Sequence, residues 1–199
     1  MEPQKLDAEY WNVRHSSGDT PWDIGKASPA LQAWYRTYPN KTARVLIPGA
    51  GHAHEVVSLL NEGFSDITVC DISRNAVEKI RNQFAGDQRV TVLLCDFFEL
   101  RDQYDLILEQ TFFCAIDPEL RAKYVQKMGE LLSDSGVIVG LLFASPFEKA
   151  GPPFGGSKGE YMSLFSKNLH IVRMDMCENS IPQRQGNELF FVCEKQKSS

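Results

Sequence analysis

Three stretches of this chain end an apolar run on residues able to hold a ligand. Gly49-Ala50-Gly51 follows RVLIP, Asp71 and Ile72 follow ITVC, and Asp96-Phe97 follows VTVLLC. A residue without a Cβ lets backbone approach a ligand closely and takes positive φ at little cost. Asp71 stands 20 residues beyond Gly51, where a carboxylate can accept from both hydroxyls of a ribose. Asp96 can accept from an adenine amino group while Phe97 packs against the ring. Each feature alone has a plain structural reading. A GxG marks a turn in many folds, and an Asp at a strand end often caps a helix, a role Ser73 can share. In order on successive strand ends, where open α/β sheets bind ligands, they describe a nucleoside site.

The glycine run also says which nucleoside. A dinucleotide fingerprint reads GxGxxG or GxGxxA, and here the sixth position is His54. A bulky residue there opposes the close helix packing that accompanies a bound pyrophosphate. The pattern fits a cofactor with adenosine and no phosphate, which S-adenosyl-L-methionine satisfies. Its sulfonium would favour aromatic faces and acids, which the N-terminal tryptophans and Glu109 can supply. His52 and His54 are two apart, whereas a helical metal pair is usually three or four apart, so no metal is expected. No GxSxG supports hydrolase chemistry.

These residues need a scaffold that brings strand ends together. From residue 44 the chain alternates apolar strands and helices: ARVLIP, a helix through Val56, Leu59 and Leu60 ending near Gly63, ITVCDIS, a helix capped by Ser73, VTVLLCDFF and YDLILEQ. Asp117-Pro118 starts a long helix, GVIVGLLF is the fifth strand, and a short helix spans about Glu160 to Lys167. Strands near LHIVRM and NELFFVCEK follow with no clear helix between them. The alternation predicts an α/β fold: a doubly wound, mostly parallel seven-stranded sheet with helices on both faces and the last strand antiparallel. Residues 1–43 differ. They hold all three tryptophans, Trp11, Trp22 and Trp34, in turn-rich sequence before a helix with Ser28 as cap and Pro29 as its first residue. Trp34 lies on the apolar face of that helix and reads as core. The expectation is one domain over residues 1–199, with residues 1–43 capping the cofactor site.

Composition narrows the partners. Net charge is -5, from 21 Lys and Arg against 26 Asp and Glu. The basic residues are scattered, so the phosphate-neutralising surface of a nucleic-acid binder is not expected. No apolar run is long enough for a membrane span. The N-terminus carries acids and no apolar signal core, which makes the cytoplasm the default location. Cys70, Cys95, Cys114, Cys177 and Cys193 show no metal spacing. They read as small buried hydrophobes in a reducing compartment, with Cys114 the candidate if one is reactive. A small-molecule partner and a monomer are expected.

Longer motifs go beyond the fold. Tyr10-Trp11-Asn12, Gly18 to Asp23, RVLIPGAGHAHEV, VCDIS, EQTFFCAIDPELR, FEKAGPPFGG and GNELFF together resemble the thiopurine methyltransferase family. They resemble most its branch of plant and bacterial thiol and halide methyltransferases. The resemblance runs from about residue 9 to 195. It implies that Trp11 and Trp22 close over S-adenosylmethionine and that Gly49 and Gly51 pass under its methionine part. By the same resemblance, Asp71 holds the ribose and Asp96 with Phe97 the adenine. It also implies that Gln110 stands near the sulfonium, where several relatives carry tyrosine.

The chemistry expected is in-line displacement at an activated methyl group, for which the protein aligns and desolvates. A thiolate, halide or thiocyanate needs no dedicated base. Acceptor-site candidates are Phe113, Phe143, Phe147, Phe154 and Arg184, although the phenylalanines also suit a core and the arginine a solvated surface. Phe154 sits in the GPPFGG loop, which reads as a lid or as a rigid turn. Two alternatives stand beside this reading: a non-catalytic binder of the same cofactor, and a dinucleotide-dependent oxidoreductase. A nucleic-acid methyltransferase is disfavoured by the acidic balance and the lack of an NPPY-like tetrapeptide.

Overall fold

The computed structural model describes residues 5–196. Two helices precede the sheet. Helix α1 (Ala8–Ser17) is capped by the Asp7 side chain, which accepts from Tyr10 N–H, and ends on Gly18 in the left-handed conformation. Nothing in the apolar pattern announces this helix, since AEYWNVRHSS carries no continuous apolar stripe. Its cap residues were the signal that was available. Helix α2 (Pro29–Arg36) begins on Pro29 as expected. Ser28 makes no side-chain cap bond; its backbone N–H donates to the buried Glu55 carboxylate instead, at 3.0 Å.

The alternation that follows is β1 (Val45–Pro48), α3 (His54–Asn61), β2 (Ile67–Asp71), α4 (Arg74–Gln83) and β3 (Val90–Leu94). It continues with β4 (Tyr104–Gln110), α5 (Arg121–Leu131), β5 (Leu132–Phe143), α6 (Lys158–Phe165), β6 (Leu169–Met176) and β7 (Glu188–Lys195). The strands form one sheet in the order β3-β2-β1-β4-β5-β7-β6. β1 to β5 run parallel, and β7 lies antiparallel between β5 and β6. This is the mixed seven-stranded sheet the pattern predicts.

Period-2 alternation divides the core between the two faces. Leu46, Ile107, Ile138, Phe191 and Cys193 meet Tyr124, Val125 and Met128 of α5 and Tyr161 and Phe165 of α6. Val45, Ile47, Val69, Leu106, Val139 and Phe190 meet Leu31 and Tyr35 of α2, Val56 and Leu59 of α3, and Ile80 of α4. Phe191 is fully buried, and truncating such a ring to alanine costs about 3–5 kcal/mol. Gly140 on β5 faces Glu109 and Phe191, and a Cβ there would collide with both.

Some boundaries move for local reasons. The helix expected from Asp117 opens with a 3-10 turn at Pro118–Leu120, whose first N–H groups Asp117 caps, and α5 proper starts at Arg121. Helix α6 starts two residues earlier than expected, since Ser157 caps it through Glu160 N–H. The N-terminal segment is pinned to the start of α4. Asn12 accepts from Ser73 Oγ at 2.9 Å and from Asn75 N–H at 3.2 Å, while Lys79 donates to the His15 carbonyl at 3.1 Å.

Candidate active site

The carboxyl ends of β1 to β5 open into one cavity of about 620 Å³, within the usual range for a small-molecule site. It lies where strand order reverses, between β1 and β4. Gly49 and Gly51 line it after β1, Asp71 and Ile72 after β2, Asp96 and Phe97 after β3, and Thr111 and Phe112 after β4. Trp11 and Trp22 of the N-terminal segment line it from outside the sheet. The two aspartates share a single cavity, which is the arrangement the strand-end reading requires.

The glycines are needed for different reasons. Both have positive φ, 59° at Gly49 and 54° at Gly51. A Cβ on Gly49 would collide with the Phe112 ring, whereas at Gly51 it would point toward His15 and Trp22, each 3.9 Å away. Gly51 therefore presents bare backbone to the cavity. Asp71 holds this loop in shape: one oxygen accepts from Gly51 N–H at 3.0 Å and the other from Ser73 N–H at 2.8 Å. Each oxygen keeps a second lone pair. Burial pushes the Asp71 carboxyl upward, opposed by those backbone donors. Asp96 is exposed and uses one oxygen on Phe98 N–H at 2.9 Å. Phe97 is buried in the cavity wall against Phe98, Phe112 and Tyr124.

Gln110 faces a different space. It lines a small neighbouring hollow with Asp23, His52 and His54, and its Oε1 is buried without a hydrogen-bond partner. Glu109 does not line the main cavity. β4 turns its side chain to the other face, where it accepts from Phe112 N–H, Phe113 N–H and, at 2.6 Å, Tyr124 O–H. Full burial pushes its carboxyl up to about 7. The suggestion that Glu109 serves a sulfonium is therefore replaced by a structural role.

The acceptor candidates separate. Phe143, Phe147 and Arg184 line the cavity. Phe113 does not: it is fully buried among Tyr124, Tyr161 and Phe165. Phe154 also lies outside the lining, tied by its N–H to the Cys114 carbonyl at 2.7 Å; Pro152 and Pro153 of the same loop take the lining positions. Arg184 lies over the Phe143 ring at 5.5 Å and pairs with the buried Glu188 at 3.3 Å. Cys114 lines the cavity, but burial pushes its thiol up to about 12, so it stands there as a neutral wall group. Trp34 stacks on Tyr38 as part of the core.

Several contributors carry no local signal in sequence, His15 and Thr111 among them. His15 lines the cavity beside Trp22, 5.8 Å away. Burial first, and the neighbouring His52 second, hold its pKa down to about 4. It is therefore neutral at pH 7, and its Nδ1 is buried without a partner. Thr111 lines the cavity at φ 61°, an uncommon conformation for a residue with a Cβ. Neither position is marked locally in sequence, since a histidine in an unrecognised helix and a threonine after a strand are ordinary.

The residues fit an adenosyl cofactor. Free lone pairs on Asp71 and Asp96, bare backbone at Gly51 and the rings of Trp11, Trp22 and Phe97 meet at one largely apolar chamber. Fold and site together define an α/β methyltransferase that draws on S-adenosylmethionine. The thiopurine S-methyltransferase family model matches residues 6–196, and the chain belongs to that family. Family membership removes the oxidoreductase alternative. The chain is 33% identical to the probable thiol methyltransferase 2 of Arabidopsis thaliana over 184 residues, covering 89% of this chain and 81% of that protein. It is 30% identical to thiocyanate methyltransferase 1 of Brassica oleracea over 193 residues, covering 94% and 84%. Among solved structures, the fold is similar to Burkholderia thailandensis 1,6-didemethyltoxoflavin-N1-methyltransferase bound to its substrate and S-adenosylhomocysteine. That match has a TM-score of 0.74 and 18% identity, covering 99% of this chain and 93% of that one. Among the described residues no helix is long and apolar enough to cross a membrane.

Proposed function

We propose that this chain methylates a small soft nucleophile, a thiol, thiopurine, halide or thiocyanate, working as a monomer in the cytoplasm. One observation carries the acceptor class: the chamber beyond the adenosyl contacts is walled by Phe143, Phe147 and neutral Cys114, and the two guanidiniums that line the cavity, Arg184 and Arg14, are already paired with Glu188 and Asp19. Such a wall suits a weakly hydrated monoanion, a thiolate included, which sheds its water cheaply, and disfavours a dianion or an acceptor too weakly acidic to ionise near neutral pH. The thiol and thiocyanate methyltransferases among the relatives support the same reading. Five unpaired thiols among the described residues suit a reducing compartment.

The bound cofactor supplies a methyl group already activated by positive sulfur. The residues of this chain do the rest. Asp71 and Ile72 hold the ribose end, Asp96 and Phe97 the base, and the backbone of Gly49 and Gly51 the amino-acid end. Trp11 and Trp22 exclude water and offer ring faces to positive charge. Gln110 would act on that region from the neighbouring hollow, through its unpartnered oxygen. Neutral His15 adds no repulsion to a cation. Arg184 would orient the acceptor anion beside Phe143, and no side chain has to remove a proton.

Labelled S-adenosylmethionine incubated with hydrogen sulfide, thiocyanate, iodide, a thiophenol, a thiopurine and a control amine tests this. Transfer to at least one sulfur or halide acceptor and none to the amine is expected. Failure with every soft acceptor, with cofactor still bound, would favour the non-catalytic binder.

A further inference from the structure

Three metal-ligating side chains converge outside the main cavity. His54 Nε2 lies 2.7 Å from Asp23 Oδ1, and His52 Nδ1 lies 3.1 Å from Oδ2, so the two carboxylate oxygens face different rings. The rings are stacked, 5.8 Å apart with a 22° interplanar angle. The candidate ligand atoms all lie within 4.8 Å of one another. In a tetrahedral zinc site, bonds of about 2.0–2.1 Å put ligand atoms roughly 3.3 Å apart, so a modest contraction closes the set. Among the described residues the Asp23 carboxylate pairs with no lysine or arginine; its other contact is Gly25 N–H at 2.8 Å. All three side chains are partly exposed, at 23–32%, and they line a hollow of about 50 Å³ that an ion can reach from solvent.

We propose that Asp23, His52 and His54 bind a borderline divalent transition ion, with zinc the best fit, and that the ion staples the N-terminal segment to the glycine loop. Two imidazoles and one carboxylate are a ligand set suited to such ions, and a fourth position stays open for water. Ring nitrogens that face the Asp23 carboxylate carry protons without the ion; on binding, His54 Nε2 and His52 Nδ1 each give up that proton, to the other nitrogen of the same ring or to solvent, and offer the freed lone pair to the ion. The spacing rule that argued against metal applies to a helix. His52 and His54 flank Ala53, a left-handed residue preceding α3, and the third ligand comes from a segment some thirty residues earlier. Asp23 follows Trp22, which lines the main cavity, and His52 follows Gly51. Joining them fixes the cap over the cofactor.

The test is titration of the full chain, purified without a histidine tag and with its thiols reduced, using Co²⁺ and then Zn²⁺. One equivalent of Co²⁺ with visible ligand-field bands and no near-ultraviolet thiolate band is expected, displaced by Zn²⁺. Asp23→Asn, His52→Ala and His54→Ala should each weaken binding about tenfold or more. Binding of S-adenosylhomocysteine without metal checks that the variants are folded. In wild type the ion should raise S-adenosylhomocysteine affinity, and in the variants it should not. Absence of Co²⁺ binding, or binding that survives in the folded His52→Ala/His54→Ala double variant, overturns the site. Metal binding with unchanged S-adenosylhomocysteine affinity overturns the staple.

Discussion

Arg184 donates from Nη2 to the backbone carbonyl of Trp22 at 2.7 Å, joining residues 162 apart in the chain. The same guanidinium reaches Glu188 through Nη1. The proposed anion-binding group is thus also a tie holding the N-terminal segment in place.

Arg184→Ala should lower both stability and turnover, because it strands Glu188, 3% exposed. Breaking a buried pair from one side costs about 3–5 kcal/mol. The double variant Arg184→Ala/Glu188→Gln should recover much of the stability in a denaturant titration while turnover stays low. Recovery of both would show that Arg184 serves the fold alone.

Asp71→Ala should weaken S-adenosylhomocysteine binding by about tenfold or more, the loss of a charge-assisted hydrogen bond. The glycine loop also loses its acceptor for Gly51 N–H. Calorimetry that finds wild-type affinity would remove the ribose role.

Glu109 and His15 should give opposite pH dependences. The Glu109 carboxyl rises from 4.5 to about 7 on folding, so the folded state holds the extra proton between those values. Stability from this group falls as pH rises from 4.5 to 7, by roughly 3 kcal/mol in all. Comparison of wild type with Glu109→Gln across that range should isolate the slope. For His15, held down to about 4 from 6.5, the unfolded chain takes the proton first. Its contribution is complete above pH 6.5 and is lost as pH falls toward 4. His15→Phe should flatten that acid limb in urea titrations.

Cys95 should be the first cysteine alkylated by iodoacetamide. It is half-buried while the other four are buried, and the neighbouring Cys70 thiol holds its own below the ordinary range. It lines the cavity, so S-adenosylhomocysteine should slow the modification. Mass spectrometry that finds Cys114 labelled first would contradict this assignment.

Much of the sheet side of the cavity was legible in sequence because its signals are local. Gly51, Asp71 and Asp96 each end an apolar strand, and parallel pairing necessarily brings successive strand ends to one edge. The acceptor candidates were less legible. Phe113 and Phe143 look alike in sequence, yet one is core and the other lines the cavity. β5 delivers Phe143 to the cavity edge, while the turn after β4 tucks Phe113 beneath Tyr124. Glu109 was misassigned because one step along β4 changes the sheet face.

The sequence by itself determined the doubly wound sheet, the order of strand ends that open on the cavity and the family, since apolar period, glycines and strand-end acids act over a few neighbouring residues. Only the tertiary structure decided which phenylalanines meet the cavity, that Arg184 reaches Trp22, and that Asp23 joins His52 and His54. Those contacts depend on how separate segments pack, and spacing along a chain does not encode distance through space.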